Sequence, residues 1–151
     1  MTETYPRQKA ATRNFLLGAP RSFHITANGD YVLFLRSDHG RDAANSLWLY
    51  DLTANVERKI IDPRELLADS EDIPAAERAR RERMRETTSG ITSFTTDSSG
   101  LKVAFALSGQ LFSGDIISGN FISIPVQGAV IDPHMSPDGH HIAWSDGRNV
   151  H

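Results

Sequence analysis

His134-Met135-Ser136-Pro137-Asp138-Gly139-His140-His141-Ile142-Ala143-Trp144 is the stretch that decides the fold. A Pro-Asp-Gly turn separates two short strand-like runs, His134 to Ser136 and His141 to Ser145, which is a hairpin signal. The same grammar occurs twice upstream. Phe23 to Thr26 turns through Asn28-Gly29-Asp30 into Tyr31 to Leu35, and Ile91 to Thr95 turns through Ser98-Ser99-Gly100 into Lys102 to Leu107. Three positions after each glycine stand Val32, Val103 and Ile142, and five after stand Phe34, Phe105 and Trp144. Positions of equal parity share a strand face, so each unit is expected to aim a β-branched residue and then an aromatic one at a common core.

Further strands follow each hairpin: Leu47 to Leu52 and Glu57 to Ile61 in the first unit, Gln110 to Ile116 and Phe121 to Val126 in the second. Gly100 and Gly139 are 39 residues apart, close to the period of a four-stranded propeller blade. Gly29 and Gly100 are 71 apart, one period plus 32 residues. The spacing predicts a mostly β chain, a partial β-propeller of about three blade-like antiparallel units with a charged α-helix inserted. A generic β-sandwich or meander is the alternative, since such turns occur in any antiparallel protein. A propeller closes with about four to eight blades, so residues 1–151 are expected to be part of a longer protein. Within them, residues 1–14 are expected as an extended arm and residues 62–90 as a helical insertion between or within blades.

The insertion is the most charged part of the chain. Pro74 suits a first helical position, Ala75 to Arg85 has high helix propensity, and Glu77–Arg81 is a favourable i,i+4 pair. A shorter helix is expected from Pro63 to Ala68. The main helix offers only alanines and Met84 as an apolar face, so packing does not explain it. It reads either as a solvated helix laced by its own ion pairs or as a presentation of arginine forks to carbonyls or anions. Interleaved glutamates, a net charge of −3 and the lack of an aromatic in the helix argue against nucleic acid.

The other totals exclude more than they assign. With no cysteine there is no disulfide or thiolate metal site, and no apolar run is long enough to span a membrane. The N-terminus lacks the apolar core of a secretory signal, so a cytoplasmic location is expected. Adjacent His140 and His141 point to opposite strand faces, and no metal or other cofactor is expected. Ser136, Asp138 and His141 crowd one tight turn, where such residues serve conformation rather than catalysis. Trp48 and Trp144 read as packing residues.

Two segments resemble the N-terminal β-propeller portion of the dipeptidyl peptidase IV family, in the prolyl oligopeptidase superfamily of serine peptidases. One is Glu77-Arg78-Ala79-Arg80-Arg81-Glu82-Arg83-Met84-Arg85 leading into Gly90-Ile91-Thr92-Ser93-Phe94. The other is Tyr5-Pro6-Arg7-Gln8 with Leu17 to Phe23, running on to Leu47-Trp48-Leu49. The resemblance implies a C-terminal α/β-hydrolase domain, absent from these residues, and removal of dipeptides from peptide N-termini. It implies a catalytic serine in a G-x-S-x-G elbow, a pentapeptide that this sequence lacks. The family's amine-binding Glu-Glu pair is missing too, and Glu71-Asp72 is not where it belongs. One role carries over. The last arginine of the helix, Arg85, matches a position that contacts the bound peptide's carbonyl. The resemblance therefore implies a substrate-gating and recognition domain that is catalytically inert by itself, with peptide substrate as its partner. The alternative is a non-enzymatic β-repeat binding module completed by homo-oligomerisation through open sheet edges.

Overall fold

The three glycine turns are built alike. Gly29 N donates to Thr26 O at 2.8 Å, Gly100 N to Asp97 O at 3.1 Å and Gly139 N to Ser136 O at 2.9 Å. All three glycines have positive φ, between +67° and +78°, where a Cβ is disfavoured. The residue three before each glycine has a short oxygen-bearing side chain. Thr26 Oγ1, Asp97 Oδ1 and Ser136 Oγ accept the backbone N–H of Tyr31, Lys102 and His141 at 3.1, 3.1 and 3.0 Å.

A computed structural model describes residues 4–68 and 90–151. The expected helix from Pro74 to Arg85 lies outside them. In chain order the elements are α1 (Tyr5–Ala11), β1 (Arg21–Ile25), β2 (Tyr31–Arg36), β3 (Ser46–Asp51), β4 (Val56–Ile61) and α2 (Pro63–Ala68). After the insertion come β5 (Thr95–Thr96), β6 (Lys102–Leu107), β7 (Gln110–Asp115), β8 (Phe121–Ile124), β9 (Ile131–Met135) and β10 (Ile142–Ser145). The strands form two four-stranded antiparallel sheets, β1-β2-β3-β4 and β5-β6-β7-β8, and a β9-β10 pair. This is the expected mostly β array of blade-like units.

Successive units dock through their turns. Ala27 N donates to Ser99 O at 3.0 Å, and its counterpart Ser98 N donates to Pro137 O at 2.9 Å. A Cβ on Gly100 would sit 3.0 Å from Thr26 Cα, and one on Gly139 would sit 2.8 Å from Lys102 Cδ. Gly100 and Gly139 thus serve close approach between units as well as turn geometry, whereas Gly29 meets nothing within 4 Å.

One hydrophobic cluster joins the first two sheets. Leu33 pairs with Leu49 and Leu35 with Leu47 across β2 and β3, and these four pack with Val103, Phe105, Leu107 and Phe112 of the second sheet. The expectation of one core shared by Phe34, Phe105 and Trp144 is corrected here. Phe34 lies on the opposite face from Leu33 and Leu35, stacked on Trp48 with ring centroids 6.5 Å apart. The physical reason is the face-to-face stacking of repeated sheets. Equivalent residues face the same way from each unit, and therefore meet a different neighbour each time.

Two further expectations change. Residues 5–11 form helix α1 instead of an extended arm. Pro6 in its first turn fixes a helical φ, and Thr12 closes it by donating Oγ1 to Gln8 O at 2.8 Å. No residue of α1 is buried, so no apolar pattern announced it. The strand expected over Ile91 to Thr95 is reduced to Thr95–Thr96, because Gly90 and Ile91 pair with Asn45 instead. No helix among the described residues is long and apolar enough to cross a membrane.

Candidate functional site

The insertion leaves the first sheet at α2 and rejoins the chain at Gly90. The loop of residues 37–45, between β2 and β3, holds both stems. Asp62 starts α2, its Oδ1 accepting Arg64 N at 2.9 Å and Pro63 following at the first helical position. Arg64 then forks onto Asp42, with Nη2 to Oδ1 at 2.6 Å and Nη1 to Oδ2 at 3.1 Å. Ala44 N adds a third bond to Asp42 Oδ1 at 2.9 Å. The Asp42 side chain is only 7% exposed. Its burial favours the neutral acid, but the Arg64 guanidinium and the Ala44 N–H outweigh that and hold the carboxyl below its ordinary value. Lys59 bridges Asp38 and Asp62 at 2.9 and 3.0 Å and ties the loop to the helix start a second time.

The returning stem is fixed by backbone. Ile91 N donates to Asn45 O at 2.9 Å within a parallel bridge between Asn45 and Gly90, and Asn45 Nδ2 reaches Ile91 O at 3.4 Å. The chains approach so closely that a Cβ on Gly90 would lie 2.4 Å from both N and O of Asn45. Ile91 is fully buried in the core cluster, as is Leu67 of α2 within a few per cent. The two ends of the insertion are therefore clamped to one loop and one core.

Beside Gly90 lies a groove of about 330 Å³, lined by the hydroxyl residues Thr92, Ser93 and Ser108, by Gly109 and Asp132, and by the apolar Ala106, Val130 and Ile131. Asp132 has a left-handed φ of +48° and a largely exposed carboxylate, 3.9 Å from His134 Nδ1. Hydroxyls and a carboxylate suit an ammonium or amide N–H as ligand.

Arg85, the expected substrate contact, lies outside the described residues. The turn trio Ser136, Asp138 and His141 does come together, but His141 joins it through its backbone rather than its imidazole. Ser136 Oγ meets Asp138 Oδ1 at 2.5 Å, and it is the main-chain N–H of His141 that donates to Ser136 Oγ. Sequence reasoning missed Asp42, Asn45, Arg64 and Asp132. No local signal marks them, because Asp42 and Arg64 stand 22 residues apart and the Asn45–Ile91 pairing spans 46.

No family model matches the chain. Among solved structures, the chain is similar to the β-propeller domain of Myceliophteria thermophila Cps50 (Swd1), with a TM-score of 0.51 and 14% identity over 85% of this chain and 32% of that one. It is similar to the tricorn protease at a TM-score of 0.51 and 14% identity, over 87% of this chain and 11% of that one. It is also similar to Porphyromonas gingivalis dipeptidyl peptidase 4 at a TM-score of 0.50 and 13% identity, over 89% of this chain and 19% of that one. The chain thus spans a third or less of the length of these structures. At such identities the likeness is one of fold: β-propeller sheets.

Proposed function

We propose that this chain is the N-terminal propeller portion of a dipeptidyl-peptidase-like serine peptidase, where it admits and orients peptide substrates while the nucleophile resides elsewhere. The observation that supports it is the clamp. Two stems of a charged insertion are fixed to one loop beside a groove that mixes hydroxyls and a carboxylate with apolar residues, which is how a binding element is held without loss of position. Arg85 precedes Gly90 by five residues, and a five-residue tether spans at most about 18 Å. A guanidinium delivered there would donate to a peptide carbonyl, while the hydroxyls and Asp132 would receive the peptide's amine end. The likeness to dipeptidyl peptidase 4 and to the tricorn protease agrees with this reading.

The test is a titration of the purified chain with a short Xaa-Pro peptide, followed by backbone amide shifts. Shifts are expected at Gly90 to Ser93, Ser108, Gly109 and Asp132, and they should weaken when the peptide's amine is acetylated. Arg85→Ala should weaken binding about tenfold, the scale of one lost charge-assisted hydrogen bond, with no change in melting temperature. Equal binding of the acetylated peptide would overturn the proposal. Hydrolysis of a dipeptidyl substrate by this chain alone would overturn the claim that it is inert.

A further inference from the structure

The two four-stranded sheets protect their outer edges differently. Strand β4 carries Glu57, Arg58 and Lys59, the charges by which edge strands repel unwanted pairing. Strand β8, Phe121-Ile122-Ser123-Ile124, is also an edge strand and carries none. Among the described residues its guard is Pro125, which follows the strand.

Between α2 and β8 runs a groove of about 540 Å³. One wall is Ile60, Asp62, Glu65 and Leu66, and the other is the β7–β8 turn with Phe121 and Ile122. Ile60, Leu66 and Phe121 are half-buried against the core, so the floor is apolar and anchored. Both charged groups in the lining are carboxylates. Lys59 neutralises Asp62 at 3.0 Å. Glu65 is exposed and forms no ion pair with another described residue.

We propose that this groove binds an extended peptide that adds as a strand to β8 and sets a lysine or arginine against Glu65. Main-chain bonds to the free edge would supply affinity. Alternate side chains entering the groove beside Leu66 and Phe121, and one cation at Glu65, would supply selectivity. The site lies on the rim between the first two sheets, and it stands or falls independently of the substrate role proposed above.

The probe is a capped peptide alternating valine and lysine, compared with its valine–glutamate counterpart and with a valine–lysine version N-methylated along one edge. Binding to the intact chain is followed by fluorescence anisotropy and by amide hydrogen exchange. The lysine peptide is expected to bind at least about tenfold tighter than the glutamate peptide and to slow exchange in β8. Glu65→Gln should remove most of that preference. N-methylation along one edge deletes that edge's pairing donors without touching the protein and should weaken binding. Equal affinity of the methylated probe, equal affinity of the two charge types, protection elsewhere on the chain, or no binding at millimolar peptide would each overturn the proposal. A preference that survives Glu65→Gln would overturn the assignment of Glu65.

Discussion

Replacing Gly90 with alanine tests the clamp directly. Gly90 has φ +70°, and an added Cβ would lie 2.4 Å from Asn45 N and O and 2.9 Å from Ala44 C. All three neighbours are backbone, so no side chain can swing aside. A Cβ in the left-handed region costs about 1–2 kcal/mol. Forcing two packed backbones apart costs about 1–3 kcal/mol more. The expected loss is therefore about 2–5 kcal/mol, or about 4–20 °C in melting temperature for a chain of this size. Gly29→Ala is the control, since it shares a positive φ of +78° but meets nothing within 4 Å. It should lose only the conformational part, about 1–2 kcal/mol. Gly100→Ala, with Thr26 Cα at 3.0 Å, should fall between them. Thermal melts followed by circular dichroism give the order. If Gly90→Ala and Gly29→Ala melt within about 1 °C of each other, the close approach to Asn45 is not there and the clamp reasoning fails.

Asp42→Asn should cost about 1–3 kcal/mol by urea unfolding, because it leaves Arg64 without its fork and keeps a buried polar group; a loss under about 0.3 kcal/mol would show that the pair does not hold α2. Acid should destabilise the fold through Asp42, Asp62 and Asp97. Burial pushes each carboxyl up, but Arg64 with the Ala44 N–H, Lys59 with the Arg64 N–H, and the Ser99 hydroxyl with turn N–H groups respectively bring each below 3.8. The unfolded chain then binds protons first as pH falls, so their contribution is full above about pH 5 and is lost as pH drops through the folded values. Asp97→Asn should flatten the urea midpoint against pH in that window, and an unchanged slope would refute its part. Phe105→Ala should cost about 3–5 kcal/mol as a core truncation, whereas Phe23→Ala, at 66% exposed, should change the melting temperature little.

The fold was largely legible because its signals are local. The first hairpin of each unit has its turn glycine, and the short helix expected from Pro63 to Ala68 is found at those bounds. A regularity stood unread beside the glycines: Thr26, Asp97 and Ser136, each capping its own turn. What was not legible depends on distant partners or on none. Helix α1 buries no residue and so has no apolar period. The loss of the strand at Ile91 follows from Asn45, 46 positions away. Which face of β2 meets the next sheet depends on how units stack, and alternation within one strand does not contain that choice.

The candidate site arises where the repeat is broken twice. In the second sheet β6 and β7 are joined by Ser108-Gly109 alone, whereas in the first the same connection runs from residue 37 to 45. The connection from β4 to β5 is the other departure, with residues 62–94 in place of a short link. A repeat unit needs neither extension for its own packing, since the second sheet does without both. Yet the two meet: the longer loop supplies Asp42 to Arg64 on one stem and Asn45 to Ile91 on the other. A long connection left untethered would hold no side chain in a defined place. The loop is therefore best understood as the insertion's mount, and a function carried by the insertion should be lost when the mount is shortened to the Ser-Gly link of the second sheet, even where the sheets remain folded.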